Sequence, residues 1–497
     1  MATSANAASE NPSAASSAPP GPSTHPELSE HPDVPALLPG TRRALLHRIA
    51  TAQAEGRAPS LTAAVRREGR LVWSGARGTA AEGQGADPET QYRIGSITKP
   101  FTAVLVMRMR DEGLLDLADP LEKHLPGTGV GDISIFQLLG HTGGLAAETP
   151  GPWWERTPGD LRPELSDVLG DVRTDQSRPH EPGRMHHYSN PGYTLLGSLV
   201  EAVRGMPWAE AVRQEITEPL GMARTSAQPE APYAEGWAVH PWADVLLEEP
   251  VVDLGLMAPA GQLWSTAGDL CLFGAFLAEG DERVLSADSV REMRASAAPL
   301  VTGDWGATYG LGVQVVQAGG RELVGHGGSL PGFVAGLWVS VADGVVAAAL
   351  ANATSGVAAG RLTAELVALV AEAEPRVPEV WRPLPEAEVD RELLELTGAW
   401  YWGTAGFGLR LLPGRGFSLE PLHGGAGRAS RFRAGPDGTW IGLDGYYVGE
   451  TLKVVRRPED GAVSHLDLGS FVFTRSVYDA QAPVPGGVDE RGWHGIG

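Results

Sequence analysis

Tyr92-Arg93-Ile94-Gly95-Ser96-Ile97-Thr98-Lys99-Pro100 is the stretch of this 497-residue chain that decides how the rest is read. Apolar residues recur downstream at Phe101, Val104, Leu105 and Met107, and Gly113 offers a C-cap, so the spacing predicts a helix over Ile97–Glu112. Pro100 lacks an N–H and is tolerated only in the first turn of a helix, which places the helix start close to Ser96. Ser96 and Lys99, three residues apart, then share one face of that turn. Both lie in the positive field of a helix N-terminus, which stabilises an alkoxide and disfavours a protonated amine. Ser96 is therefore a candidate nucleophile and Lys99 a candidate general base. An arginine could not serve, because guanidinium keeps its proton. The chain has only three lysines, Lys99, Lys123 and Lys453, among its 39 basic residues. Taken alone, a Ser-x-x-Lys spacing is a weak signal and is better read as an N-cap serine and a solvated lysine.

Two further motifs change that balance. His187-Tyr188-Ser189-Asn190-Pro191 places a phenol and a carboxamide two residues apart. Tyr188 can relay a proton, and Asn190 can hydrogen-bond a substrate amide while contacting Lys99. The alternative is a tyrosine packed ahead of a helix starting near Pro191. Gly325-His326-Gly327-Gly328-Ser329 follows an apolar strand. Its glycines, Gly327 and Gly328, let a substrate backbone approach the strand edge, and the backbone N–H groups of Ser329 and Ser96 are candidates for an oxyanion hole. The alternative is a glycine-rich hairpin.

Ser-x-x-Lys, then Tyr-x-Asn, then a strand with His-x-Gly, in this order, resembles the class C β-lactamase, DD-peptidase and related esterase superfamily. The resemblance covers most of residues 40–370. It extends to Gly113-Leu114 through Asp119-Pro120 to Leu125-Pro126, to Gln137-Leu138-Leu139-Gly140-His141-Thr142-Gly143-Gly144-Leu145, and to Ala258-Pro259-Ala260-Gly261 with Ser265-Thr266-Ala267-Gly268-Asp269-Leu270. It implies an α+β fold: an antiparallel sheet flanked by helices, beside an all-helical region, with the cleft between. It implies acyl transfer through an acyl-enzyme on Ser96, with Lys99 as base, Tyr188 as proton relay and Asn190 as orienter. His326 occupies the place of the lysine in Lys-Thr-Gly, so its charge depends on pH. Either an imidazolium binds a substrate carboxylate, or a neutral His326 donates one hydrogen bond to Tyr188 or the substrate. The neutral role is the expected one, since a second buried cation beside Lys99 is costly. His141 is expected to be structural.

The chain divides by composition. Residues 1–38 are small, polar and Pro-rich and are expected to be disordered. Residues 39–375 form the hydrolase domain, 376–395 a Pro-rich linker, 396–478 an all-β domain and 479–497 a tail. In the hydrolase domain, helices are expected at 38–50, 133–140, 191–204, 208–218, 266–278, 287–295 and 356–374. Its strands are expected at 61–67, 70–75, 309–316, 321–325, 333–341 and 344–351. In the C-terminal region, short strands are expected at 408–412, 417–422, 430–434, 439–443, 451–456 and 463–474, giving a small barrel or meander. That region resembles the lipocalin-like domain attached to some of these hydrolases and to penicillin-binding-protein-type peptide cyclases.

Bulk properties narrow the partners. Hydrophobic residues make up 42% and charged residues 20%, an ordinary globular balance. A formal net charge of −22 disfavours nucleic acid and anionic membrane surfaces. No run approaches the roughly 20 apolar residues of a membrane span. The first thirty-odd residues lack the basic start and apolar core of a signal peptide, so a cytoplasmic location is expected. The single cysteine, Cys271, sits in an apolar run and reads as a packed side chain. His180, His186 and His187 cluster without a helical metal-ligand spacing, so neither a metal nor a cofactor is expected. The expected partner is a small-molecule or peptide substrate. Three functions follow: a serine hydrolase of esters, amides or D-amino-acid peptides; a peptide thioesterase or cyclase; and a non-catalytic peptide-binding protein. The complete set of Ser96, Lys99, Tyr188 and Asn190 argues against the third.

Overall fold

The computed structural model describes residues 36–477 and 483, except for 173, 175, 299–306, 379, 424–426 and 470. The segments expected to be disordered or tail-like, 1–38 and 479–497, lie almost wholly outside the described residues. The chain divides into two compact units, Met1–Val377 and Pro378–Gly497.

The first unit is built on an eight-stranded antiparallel sheet. Its order is Gln84–Gly85, Arg70–Ala81, Ser60–Arg67, Val345–Ala351, Phe333–Ser340, Arg321–Leu330, Gln314–Ala318 and Thr308–Tyr309. The middle strands read as continuous apolar runs because both sheet faces are covered. Along Val345–Ala351, Val345, Ala347, Ala349 and Ala351 pack into one core with helices Pro39–Glu55 and Ala359–Ala373. Val346, Ala348 and Leu350 pack into the other, with helix Ala267–Glu279 and the helical region. Small side chains at these positions let helices lie close on both faces.

The nucleophile segment is central to this unit. A single 3-10 turn, Gly95–Ile97, leads into helix Thr98–Asp111, and Pro100 falls in its first turn, where its missing N–H breaks no helical bond. Every residue from Thr98 to Met107 is buried, so this helix runs through the core rather than along its surface.

Several elements differ from expectation. The strand expected at 309–316 is two strands, Thr308–Tyr309 and Gln314–Ala318, joined by a turn at 310–313. The helix expected at 208–218 contains a π-helical turn, Arg213–Thr217, between Trp208–Val212 and Glu218–Leu220. Strand Arg321–Leu330 runs five residues beyond its expected end, through Gly325, Gly327 and Gly328. Its ladder to Phe333–Ser340 continues to the Leu330–Phe333 pair, so the glycines lie inside a paired strand and not in a hairpin loop.

The C-terminal unit is an eight-stranded antiparallel meander in sequence order, from Gly398–Trp402 to Phe471–Phe473. The Tyr401–Thr474 bridge brings its first and last edges together into a nearly closed barrel. Its core is aromatic: Trp400, Phe407, Phe417, Phe432, Trp440, Tyr447 and Phe473, with Leu409, Leu419, Leu452, Leu466 and Leu468. Short helix Arg391–Leu396 covers one end, where Leu393 and Leu396 join the core and Trp400 Nε1 donates to the Leu396 carbonyl (2.8 Å). The expected strand 463–474 is two strands, divided at Gly469, whose φ of +65° turns the chain back.

Candidate active site

Ser96 Oγ and Lys99 Nζ lie 2.9 Å apart. Lys99 is fully buried, and its amine also meets the Ala260 carbonyl at 2.8 Å. A neutral amine has two N–H donors and one lone pair. With one N–H on the Ala260 carbonyl, the lone pair is free to accept the Ser96 O–H. Burial lowers the lysine to about 7, with Glu148 and then Glu155 opposing the shift, so the amine can give up its proton near neutral pH. The helix turn predicted from sequence thus delivers a short Ser–Lys contact in a desolvated setting.

Tyr188 and Asn190 enter from the segment that leads into helix Asn190–Arg204. Ser189 caps this helix, its Oγ accepting from Gly192 N–H (3.1 Å). The loop after helix Ile135–Leu139 anchors the segment: Ser189 N–H donates to His141 Nδ1 (3.0 Å), His187 N–H to the His141 carbonyl (2.8 Å) and Asn190 N–H to the Ala147 carbonyl (2.9 Å). His141 therefore holds the motif rather than reacting in it, and burial keeps its imidazole neutral. Lys99 Nζ lies 4.8 Å from the centre of the Tyr188 ring, and the Tyr188 hydroxyl faces Ser96. Burial raises the Tyr188 phenol, with a hydrogen bond to Ser96 opposing the shift, so the group holds its proton until one is drawn from it.

Asn190 was expected to contact Lys99, but its amide nitrogen is on the Glu148 carboxylate (3.0 Å to each oxygen). Glu148 also accepts from Trp154 Nε1 (2.7 Å). Of the two adjacent tryptophans, Trp154 is buried beside Val168, Leu254, Met257 and Leu330, whereas Trp153 is exposed.

His326 lines the cleft but has neither of its nitrogens free. Nδ1 is 2.5 Å from the Gly327 carbonyl, which can only accept, so Nδ1 carries the proton. Nε2 then accepts from the Tyr309 hydroxyl (3.1 Å). Burial and the nearby Lys99 push the imidazole down to about pH 3. The ring is held neutral, and its protein partners are Gly327 and Tyr309 rather than Tyr188.

Gly327, Gly328 and Ser329 form the open edge of their strand. Strand Gln314–Ala318 pairs only with Arg321–Gly325 and leaves 326–329 uncovered on that side. Gly327 N–H points there, to Gln314 Oε1 (3.3 Å). Strand residues two apart point the same way, so Ser329 N–H faces the same side. The nucleophile turn closes on this edge. A Cβ on Gly328 would meet the Ile94 carbonyl oxygen at 1.9 Å, and one on Gly95 (φ +53°) would meet Ser329 N at 2.7 Å. The resulting cleft, of about 400 Å³, is lined by Ser96, Tyr188, His326, Gly327, Gly328 and Ser329, with Gln314, Val357 and Gly360 among its other walls. A larger cavity, about 720 Å³, lies among Arg213, Met222 and Leu263 and contains none of these residues.

Sequence reading missed Glu148, Gln314 and Tyr309. Each reaches the site through a tertiary contact and belongs to no local motif. No group of His, Cys, Asp and Glu with metal-binding geometry occurs among the described residues, and none of their helices is long and apolar enough to cross a membrane.

A serine in hydrogen-bond contact with a buried amine at a helix start, beside an antiparallel sheet edge, is the arrangement of a serine hydrolase of the β-lactamase and transpeptidase type. The Beta-lactamase family profile matches residues 46–372, and the chain belongs to that family. A domain of unknown function (DUF7586) matches 389–475. Penicillin-binding protein 4 of Amycolatopsis lactamdurans is 32% identical over 330 residues, covering 62% of this chain and 84% of that protein. Two further relatives are matched over 50% and 56% of their own lengths. A D-stereospecific amidohydrolase from Streptomyces sp. superposes with a TM-score of 0.53 at 27% identity, over 68% of this chain and 99% of its own. A class C β-lactamase shares the fold, with a TM-score of 0.56 at 17% identity, over 68% of this chain and 98% of its own.

Proposed function

We propose that the chain cleaves esters, amides or D-amino-acid peptides through an acyl-enzyme on Ser96. The observation that carries this reading is the 2.9 Å contact between Ser96 Oγ and a lysine lowered to about pH 7. Neutral Lys99 takes the Ser96 proton as Oγ attacks the substrate carbonyl. The oxyanion is met by the backbone N–H groups of Ser96 and Ser329. Tyr188 passes the proton from Lys99 to the leaving amine or alcohol, which departs and leaves the acyl group on Oγ. Water then attacks the ester, Lys99 and Tyr188 taking its proton, and releases the acid with Ser96 regenerated. Asn190, oriented by Glu148, fixes the acyl-side amide. His326 holds the Gly327 backbone, and thereby the strand edge along which the substrate lies.

The amidohydrolase likeness supports amides of D-configured amino acids as the first substrates to try. Incubation with D- and L-phenylalanine amide, activated esters and β-lactams, followed by intact-mass detection, tests the reading. An adduct of acyl mass in wild type and none in Ser96→Ala is expected; adducts in both would remove Ser96 from the chemistry. The cytoplasmic placement belongs to the same proposal, and cell fractionation tests it.

A further inference from the structure

The two ends of the C-terminal meander differ. Successive strands alternate in direction, so the turn after Trp402, the residues before Ser430, the connection from Leu443 to Glu450 and the turn before Phe471 share the end opposite helix Arg391–Leu396. Aromatic rings from three of these connections gather around a guanidinium from the fourth. The Arg428 guanidinium carbon lies 4.1 Å from the Trp402 ring centre, 4.8 Å from Phe471 and 5.3 Å from Tyr446.

Arg428 is not placed like a structural arginine. The same unit supplies the comparison: Arg475 stacks on Trp400 at 4.0 Å, and its guanidinium donates to the Thr397, Ala399 and Glu395 carbonyls. Arg428 Nη1 is buried with no hydrogen-bond partner among the described residues. The Tyr447 hydroxyl, on a side chain only 2% exposed, has no acceptor for its own proton among the described residues, and its oxygen lies within reach of the Arg428 guanidinium. A buried hydroxyl proton without an acceptor among the described residues, and a guanidinium N–H that meets only that hydroxyl's oxygen, each forfeit part of their solvation. Aromatic rings lie against the guanidinium, which leaves its N–H edge to meet an anion, and that planar edge matches a carboxylate. Outside it, Trp402 (39% exposed) and Tyr446 (56% exposed) present apolar rings to an incoming molecule.

We propose that this end of the meander binds an organic carboxylate with a flat apolar body. The carboxylate accepts from Arg428 Nη1 and the Tyr447 hydroxyl, and the apolar body lies on Trp402 and Tyr446. The same chemistry is offered by a free aromatic acid and by the C-terminus of a peptide ending in an aromatic residue.

The test uses the full chain carrying Ser96→Ala, so that no probe is turned over. Titration calorimetry and tryptophan fluorescence follow phenylacetate against phenylacetamide, and acetyl-Ala-Phe with a free against an amidated C-terminus. Saturable binding of at least one carboxylate is expected, with its amide weaker by about tenfold or more, as loss of a charge-assisted bond implies. Binding by phenylacetate alone identifies a small acid as the ligand class; binding by the peptide alone identifies a chain terminus. Arg428→Gln should weaken the bound probe about tenfold or more, and Tyr447→Phe about threefold to tenfold. If Arg428→Gln unfolds the unit, the decision rests on Tyr447→Phe with an unchanged near-ultraviolet circular dichroism spectrum. No saturation up to about 10 mM, equal binding of acid and amide, or affinity untouched by the folded variants would each overturn the proposal.

Discussion

Both units contain an eight-stranded antiparallel sheet, yet the polar groups that mark their candidate sites are partnered differently. In the hydrolase unit two groups at the cleft are paired, Lys99 with Ser96 and the Ala260 carbonyl and His326 with the Gly327 carbonyl and Tyr309, while His141 Nε2 behind Tyr188 has no partner among the described residues. In the C-terminal unit the core is aromatic, and at one end Arg428 Nη1 and the Tyr447 hydroxyl, which lie within reach of each other, find no well-formed hydrogen bond among the described residues. A paired network is set before the substrate arrives, so its groups need no rearrangement during reaction. An unpaired set gains most when an acceptor is supplied from outside. The contrast predicts that changes in the first unit remove chemistry while the fold survives, and that changes in the second unit's core remove fold while the chemistry survives.

The largest effect should come from Ser96→Ala. Acylation by a nitrophenyl ester is expected to fall by about 10⁴-fold or more, with a melting temperature close to wild type, since at most an N-cap-sized contribution of roughly 0.5–2 kcal/mol is lost. Turnover at the wild-type rate would break the comparison at its root. Lys99→Arg should be nearly as inactive as Lys99→Ala, because the role needs a group that can give up its proton; appreciable single-turnover acylation in the Arg variant would mean that Lys99 supplies charge only. Next comes the second unit. Trp400→Ala should cost its own unfolding transition about 3–5 kcal/mol, with ester hydrolysis retained at 25 °C, and scanning calorimetry with a parallel activity assay decides this.

Two smaller effects sharpen the picture. For a neutral ester, kcat/KM should rise through about pH 7 and level off above it, following Lys99. Stability works in the same direction. Lys99 and His326 both have folded-state values below their unfolded ones, so the unfolded chain binds more protons. For His326 the stabilisation is complete above its unfolded value and fades as pH falls toward about 3. Urea midpoints that climb on acidification from pH 6.5 would contradict this assignment. The smallest change is Tyr309→Phe. It removes the donor to His326 Nε2 and should cost about 0.5–1.5 kcal/mol, visible as a histidine that titrates differently by NMR and a modest loss in kcat.

What the sequence made legible follows the range of each interaction. Ser96 and Lys99 share a turn, and Tyr188 and Asn190 share a capped helix start, so spacing alone brings each pair together. Glu148, Gln314 and Tyr309 sit 42, 13 and 17 residues from Asn190, Gly327 and His326, the groups they bond. Nothing local marks them. The same reasoning applies to the folds. Apolar runs such as Val345–Ala351 announced central strands, because both sheet faces are buried. Glycines normally weaken strands, so the local pattern ends the Arg321 strand at 325, whereas the ladder to Phe333–Ser340 carries it on to Leu330. Gly398–Trp402 was missed because it is short and starts at a glycine, and its place as an edge strand shows only once its bonds to Ala405–Leu412 are seen.

The glycines along the cleft divide its wall into rigid and adaptable parts, and this bears on how the enzyme can diversify. Neither Gly95 nor Gly328 admits a side chain without forcing the nucleophile turn away from the strand, so variation is closed at both. Gly327, one residue away, has nothing within 4 Å of where a Cβ would stand, and Gly360 meets only Trp338 Nε1, at 3.7 Å. On the proposed reading, substrate range would drift through positions 327 and 360, together with Gln314, while Ser96 and Lys99 stay untouched. A mutant library at 327, 360 and 314 would sample the open part of the wall, with Val357 limited to apolar residues of similar size because it also packs in the core, whereas one that included 95 or 328 would spend most of its members on inactive protein.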